Sequence, residues 1–218
     1  MTVQQRLFWS NVGVDVQTAL AAAVSITAIS KTAPGVVIYT GTIHPANGDY
    51  ISLQSQGMHQ VNERIFRIAN VNTTAKTFEL ESEDTTTYDT FINGSYQIII
   101  FGASFSSVQN INVSGGEYEK ADLTTIHDSV KKQAPTVASA MQVGMTNFFD
   151  LTDPGFVECN KAFKAKTVRA FRLRFGTGAK VLFTGYVGAA GVPTGQAQQV
   201  VTTTVTIDAQ NLPTTYTS

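Results

Sequence analysis

Cysteine is almost missing from these 218 residues. Cys159 stands alone, which excludes an intrachain disulfide and a Cys-rich zinc site. Histidine is nearly as scarce, with only His44, His59 and His127 to share acid-base or metal-ligating work. His44 stands beside Pro45 in a turn and His127 in a polar stretch, where both read as solvated. Cys159 falls on the apolar face of a short helix and reads as a small inert side chain, because a reactive thiolate needs an exposed electropositive setting. Charge is thin as well: 14% of residues are charged and the net charge is −1, against about 25% charged in ordinary soluble domains. Without a basic excess, the chain cannot coat nucleic acid by neutralising phosphates. A surface rich in Thr, Ser, Asn and Gln costs little to desolvate, which suits a subunit covered by its neighbours. Long hydrophobic runs are also lacking. Thr18 to Ile29 is apolar but too short to span a bilayer, and Asp15 and Gln17 interrupt the region a signal peptide would need, so the segment reads as core.

What the sequence does have is strands. A chain of this length can bury roughly 70% of its unfolded surface. Short runs of β-branched and aromatic residues, punctuated by Gly, Asn, Asp and Pro, predict strands at 6–12, 24–30, 36–40, 50–54, 65–71, 77–81, 97–101, 105–113 and 138–148. A last strand is predicted over 198–207, where Val201, Val205 and Ile207 oppose the threonines at 202, 204 and 206. In "RAFRLRFGTGAKVLFTGYV", residues 169–187, Phe171, Leu173 and Phe175 share one face of a strand while Arg172 and Arg174 share the other. Gly176 and Gly178 supply a turn, and Val181, Phe183 and Val187 continue the apolar face on the returning strand.

One helix is predicted, at "TDPGFVECNKAFKAKT". Thr152 or Asp153 caps it, Pro154 fits its first turn, Phe156, Cys159 and Phe163 form its buried face, and Lys161, Lys164 and Lys166 crowd its C-terminal half. Two regions differ in texture. Residues 24 to about 93 hold Glu79, Glu81, Glu83, Asp84 and Asp89 and look like a compact insert. Gly115 to Thr136 lies between two strong strands without sustained apolar alternation and reads as a long functional or mobile loop.

Motifs that carry chemistry are weak here. Gly176-Thr177-Gly178 lacks the third glycine and the following helix of a phosphate cradle. Glu81 and Glu83, two apart, share a strand face, where solvated charge is the default and calcium an outside reading. Lys131 and Lys132 are a single dibasic step in a stretch that also holds Asp122 and Asp128. No constellation for catalysis emerges, so the chain reads as a non-enzyme without a cofactor, a metal site or catalytic residues.

The order from Phe105 onward is a strand, "VSGGEY", a polar stretch, a strand, a short helix, "RAFRLRFGTGAKVLFTGYVGAAG" and a threonine-rich final strand. It resembles the major tail tube protein of long-tailed, siphovirus-type bacteriophages. The likeness is strongest from Arg169 to Ile207 and takes in Leu7 to Trp9. The segment 24–93 is similar to a small β module found in other phage structural proteins, through Asn47-Gly48-Asp49, Gly57-Met58, Val61-Asn62 with Phe66, and "TFEL" at 77–80.

The resemblance implies a mainly β fold, an antiparallel β-sandwich with one flanking α-helix plus an inserted small all-β module. Residues 1–23 and 94–218 would form the sandwich and 24–93 the accessory module. It implies a virion subunit, assembled in the host cytoplasm, that forms homo-hexameric rings stacked into a tube. The partners implied are the tape measure protein inside, tail terminator and tail tip proteins at the ends, and DNA passing through without sequence recognition, with no membrane insertion by this chain. Residues offered for contact between subunits are Arg172 and Arg174, as bidentate donors to a neighbour's acids, and Glu117, Glu119, Asp122, Leu123, Ile126, Asp128, Val130, Lys131 and Lys132, as a docking arm. A solvated outer strand is the competing reading of the two arginines. The alternative function is a carbohydrate-binding or adhesive β-sandwich of a virion or cell surface, with Trp9 and tyrosines as stacking platforms.

Overall fold

The computed structural model describes residues 11–189 and 191–217. The predicted strand at 6–12 and Trp9 therefore fall wholly or largely outside the described residues. Fifteen strands and one helix follow one another: β1 Gly13–Leu20, β2 Val24–Ile29, β3 Val36–Tyr39, β4 Tyr50–Gln56, β5 Ile65–Asn72, β6 Thr77–Leu80, β7 Asn93–Phe105, β8 Val108–Ser114, β9 Tyr118–Asp122, β10 Gln133–Ala138, β11 Gln142–Phe148, α1 Pro154–Ala165, β12 Val168–Arg174, β13 Lys180–Ala189, β14 Thr202–Ala209 and β15 Thr214–Tyr216. The fold is mainly β, antiparallel, with one helix.

Six strands close into a small barrel in the order β2-β3-β6-β5-β4-β7, and pairing of β2 with β7 completes the circle. Closure leaves none of these strands with an unpaired edge along the paired stretch. Alternation in the sequence fills the interior: Val37, Tyr39, Ile51, Leu53, Phe66, Ile68, Phe78, Leu80 and Tyr96 are buried together. The aromatic rings of Tyr39, Phe78 and Tyr96 meet at centroid separations of 5.2 to 5.7 Å. The thirteen residues of β7 are longer than the barrel needs, and the second half of the strand leaves it to pair with β1.

From there the sheet continues β1-β12-β13-β14-β11-β8, with β15 added to β13. Val14, Val16, Phe171, Leu173, Phe183, Val205 and Ile207 form its core with Phe156, Cys159 and Ala162 of α1. The helix begins as predicted, with Asp153 as cap and Pro154 in the first turn. Its buried face is rotated relative to the expectation. Gly155, Phe156, Cys159 and Ala162 are buried, whereas Phe163 is 48% exposed. Small residues bring the helix close to the sheet: a Cβ on Gly155 would lie 2.8 Å from the Phe105 backbone nitrogen. Phe156, Cys159 and Ala162 form the row that packs on the sheet, and Phe163 lies outside that row.

A third cluster joins the two halves. Tyr50, Ile65 and Ile99 from the barrel pack on Ala170, Leu182 and Tyr216 from the sheet. The Tyr216 hydroxyl accepts the Arg67 backbone N–H at 2.7 Å, and the Arg67 guanidinium lies 4.7 Å from the Tyr216 ring centre. The face of β12 and β13 opposite Phe171 and Phe183 is thus not a solvated outer face; it is the seat of the barrel.

Other expectations shift for local reasons. The strand predicted over 105–113 is broken at Ser106 and Ser107, and the one predicted over 138–148 divides between β10 and β11. The strand predicted as last is β14, which starts at Thr202 with Val201 exposed and is followed by β15. Of the two turn glycines only Gly178 has positive φ. Within 18–29, Ala19 and Leu20 at the end of β1 and Ala22 and Ala23 between β1 and β2 are exposed, so that segment is only partly core.

Candidate assembly surfaces

Asp15 is the residue the sequence reading missed. It is 2% exposed, in the middle of β1, with Arg172 opposite it on β12 and Ser104 opposite it on β7. Oδ2 accepts from Arg172 Nε at 2.7 Å and Arg174 Nε at 2.6 Å, while Oδ1 accepts from Arg174 Nη2 at 2.8 Å and Ser104 Oγ at 2.7 Å. Burial works against the charged carboxylate, but the bonds from Arg174, Ser104 and Arg172 outweigh it and hold the carboxyl below its ordinary range. Arg172 also lies over two rings, 4.5 Å from the centre of Phe101 and 5.2 Å from that of Tyr50. It therefore ties the sheet, through Asp15, to the barrel wall. Arg174 is different: its side chain is 47% exposed, and its outer edge faces solvent.

The predicted loop at 115–136 is a β-hairpin. β9 and β10 pair with each other alone, forming a two-stranded ribbon off the main sheet, with Ala134 opposite Ala121 and Pro135 opposite Lys120. Pro135 is tolerated because a two-stranded ribbon has only edge strands. At the root, Gly115 has φ +77°, and a Cβ there would meet the Ala140 carbonyl oxygen at 2.1 Å, so no other residue fits. The tip is tied by Leu123 N–H donating to Lys132 O at 2.9 Å and Asp128 accepting the Thr125 N–H at 3.0 Å. Lys131 pairs with Asp122 at 3.5 Å and Lys132 with Asp128. These pairs leave Leu123, Ile126 and Val130 exposed, Ile126 to 97%. Glu117 and Glu119 stand exposed nearer the root. All nine residues offered as an arm lie on this ribbon, and the two arginines offered beside them lie on β12.

A single carboxylate shapes the corner between β7 and β8. Asp153 Oδ2 accepts from Ser106 N, Ser106 Oγ and Ser107 Oγ at 2.8 to 3.0 Å, and its Oδ1 caps α1 by accepting Phe156 N–H at 3.1 Å. Burial opposes ionisation, yet the donors from Ser106, Phe156 and Ser107 prevail and keep this carboxyl below its ordinary range. The same bonds explain why β7 stops at Phe105 and β8 restarts at Val108.

Reactive chemistry finds no assembled site among the described residues. His44, His59 and His127 are exposed on separate elements, His44 with its Nδ1 2.9 Å from the Tyr39 hydroxyl. Burial pushes the Cys159 thiol up to about 12. Glu81 and Glu83 follow β6 instead of sharing a strand, and each faces an arginine: Arg67 bonds Glu81, and Arg64 bonds Glu83 at 2.6 Å. That pairing removes the calcium reading. No group of three or more His, Cys, Asp or Glu among the described residues could hold a metal ion, and no described helix is long and apolar enough to cross a membrane.

The geometry is that of a scaffold with a projecting apolar-tipped ribbon. No curated protein matches the chain. The family model for phage tail tube protein, TTP, matches residues 56–218 and so spans the second half of the barrel, the whole ribbon and the sheet that continues from it, apart from β1. With most of its length matched, the chain belongs to the phage tail tube protein family.

Proposed function

We propose that this chain is the repeating subunit of a bacteriophage tail tube. Membership of the family makes it a structural component of the virion tail and implies assembly with copies of itself. Six copies close into a ring, and rings stack head to tail into a tube that holds the tape measure protein and later conducts DNA. Terminator and tip proteins cap the two ends, and assembly takes place in the host cytoplasm. The stacking contact of this reading is heterologous and extends indefinitely until capped. The near-neutral chain, net −1, carries no basic excess to hold DNA in the lumen. The subunit performs no catalysis.

The observation that carries the proposal, beside the family match, is the ribbon. Side chains such as Ile126 and Val130 are expelled into solvent in the single chain and gain burial only against another molecule. Residues 117–132 serve as an arm that anchors on a neighbouring subunit. Arg174, with Arg172 behind it on the shared Asp15, offers its solvent edge to a neighbour's carboxylate. Residues 24–93 act as an accessory module on the outside of the tube. Sedimentation and negative-stain microscopy of the purified protein test the proposal: rapidly sedimenting tubes support it, and dispersed monomers at high concentration that bind glycans favour an adhesive sandwich instead.

A further inference from the structure

At the root of the ribbon lies a groove of about 510 Å³, between residues 115–116 and 137–141 on one side and residues 209–213 on the other. None of its lining side chains is ionisable. Val137 and Leu212 are largely exposed there, and Ala140, Met141 and Pro213 add to its apolar surface. Such a surface is open and uncharged, and it asks for an occupant that is apolar and needs no counter-charge.

The other end of the same ribbon has those properties. Leu123, Ile126 and Val130 project from the tip, while the tip's charges are neutralised within it by the Lys131–Asp122 and Lys132–Asp128 pairs. Ion pairs satisfied internally remain solvated when the apolar side chains dock, so the contact carries no penalty for burying an unpaired charge. The tip cannot reach its own groove. The paired stretch of β9 and β10 separates the two by five to six residues, which at about 3.3 Å per residue is a spacer of roughly 15–20 Å.

We infer that the groove is the receptor for the ribbon tip of a second copy of this chain, Ile126 entering beside Leu212 and Val137. The inference rests on the tail-tube reading and specifies its stacking contact. Tip and groove are different surfaces of one chain, so each copy gives one contact and receives another, and the contact repeats from copy to copy.

Cysteine cross-linking tests this directly, because the one native cysteine, Cys159, is buried. Ile126→Cys and Leu212→Cys change exposed residues and leave the core intact. Oxidised tubes of the double variant should give a covalent ladder on a non-reducing gel, and an equal mixture of the two single variants should give dimers and nothing larger. Leu212→Asp should raise the concentration needed for assembly at least tenfold with an unchanged melting temperature. Tubes that form normally from the double variant but yield no cross-link would overturn the groove assignment and leave the tail-tube reading standing. Wild-type protein that forms no polymer under the same conditions would overturn both.

Discussion

Asp15 and Arg172 face each other across the β1–β12 pairing, and the carboxylate of the first is closed on four sides by Arg172, Arg174 and Ser104. Removing a buried partner leaves the opposite charge uncompensated. Asp15→Ala should destabilise the chain by about 3–5 kcal/mol. Arg172→Ala should also be costly, because it uncovers Phe101 and Tyr50. Arg174→Ala should cost less than Asp15→Ala, since Arg172 and Ser104 remain on the carboxylate and the Arg174 side chain is itself half-exposed. Urea melts of the three variants check the order, and an Arg174 variant as unstable as the Asp15 variant would contradict it. If Arg174 also meets a neighbour's acid, its loss weakens assembly more than it weakens the fold, and high salt partly reproduces the effect.

Acid should loosen the same points. Asp15 and Asp153 are held below the ordinary aspartate value of about 3.9 in the folded chain. Their folded-state pKa is lowered, so the stability they contribute is complete above the unfolded value and is lost as pH falls through the folded one. The melting temperature should therefore change little through these groups between pH 7 and 5 and drop below about pH 4. Asp153→Asn should lower stability at neutral pH by about 2 kcal/mol, through the weakened cap and the Ser106 and Ser107 bonds, and should remove part of the acid dependence. Parallel pH profiles of variant and wild type would contradict the role given to Asp153.

The barrel should be separable. Its chain enters through β2 and leaves through β7, where Val24 lies opposite Tyr96 and Ser25 opposite Ser95. Replacing residues 25–95 with Asn-Gly makes a two-residue hairpin at this crossing. We expect the shortened chain to unfold cooperatively at a lower temperature, because Ala170, Leu182 and Tyr216 lose their cover. A chain without a cooperative transition would make the barrel part of the core and end its reading as an accessory.

What could be read from the sequence follows from where each signal resides. The barrel strands and the Phe171–Phe183 hairpin carry period-two alternation because one side of each faces a core. The ribbon carries none, since both its faces meet solvent, and so it reads as a loop. Asp15 was hidden for another reason: its partners lie 157 and 159 residues away, and only the register of β1 on β12 brings them together. The break at Ser106 depends in the same way on Asp153, 46 and 47 residues later. A charged residue amid valines in "VGVDVQ" was the available hint, because a lone acid on a strand flanked by apolar residues demands a cation.

Hydrogen exchange should separate the ribbon from the rest of the subunit. In the free chain its amides are protected only by their own two-stranded pairing and should exchange faster than those of the barrel. On assembly, residues 117–132 should gain strong protection as the tip docks, while Ile51, Phe66 and Phe78 in the barrel interior change little. Fast exchange that persists in assembled tubes would remove the arm from the account.

The proposed ring and tube are measured most directly by the symmetry of assembled particles viewed end on by cryo-electron microscopy. Stacked subunits of the proposed kind predict hollow rings with six-fold symmetry and an open lumen. Solid fibres, open sheets or persistently monomeric particles would contradict it.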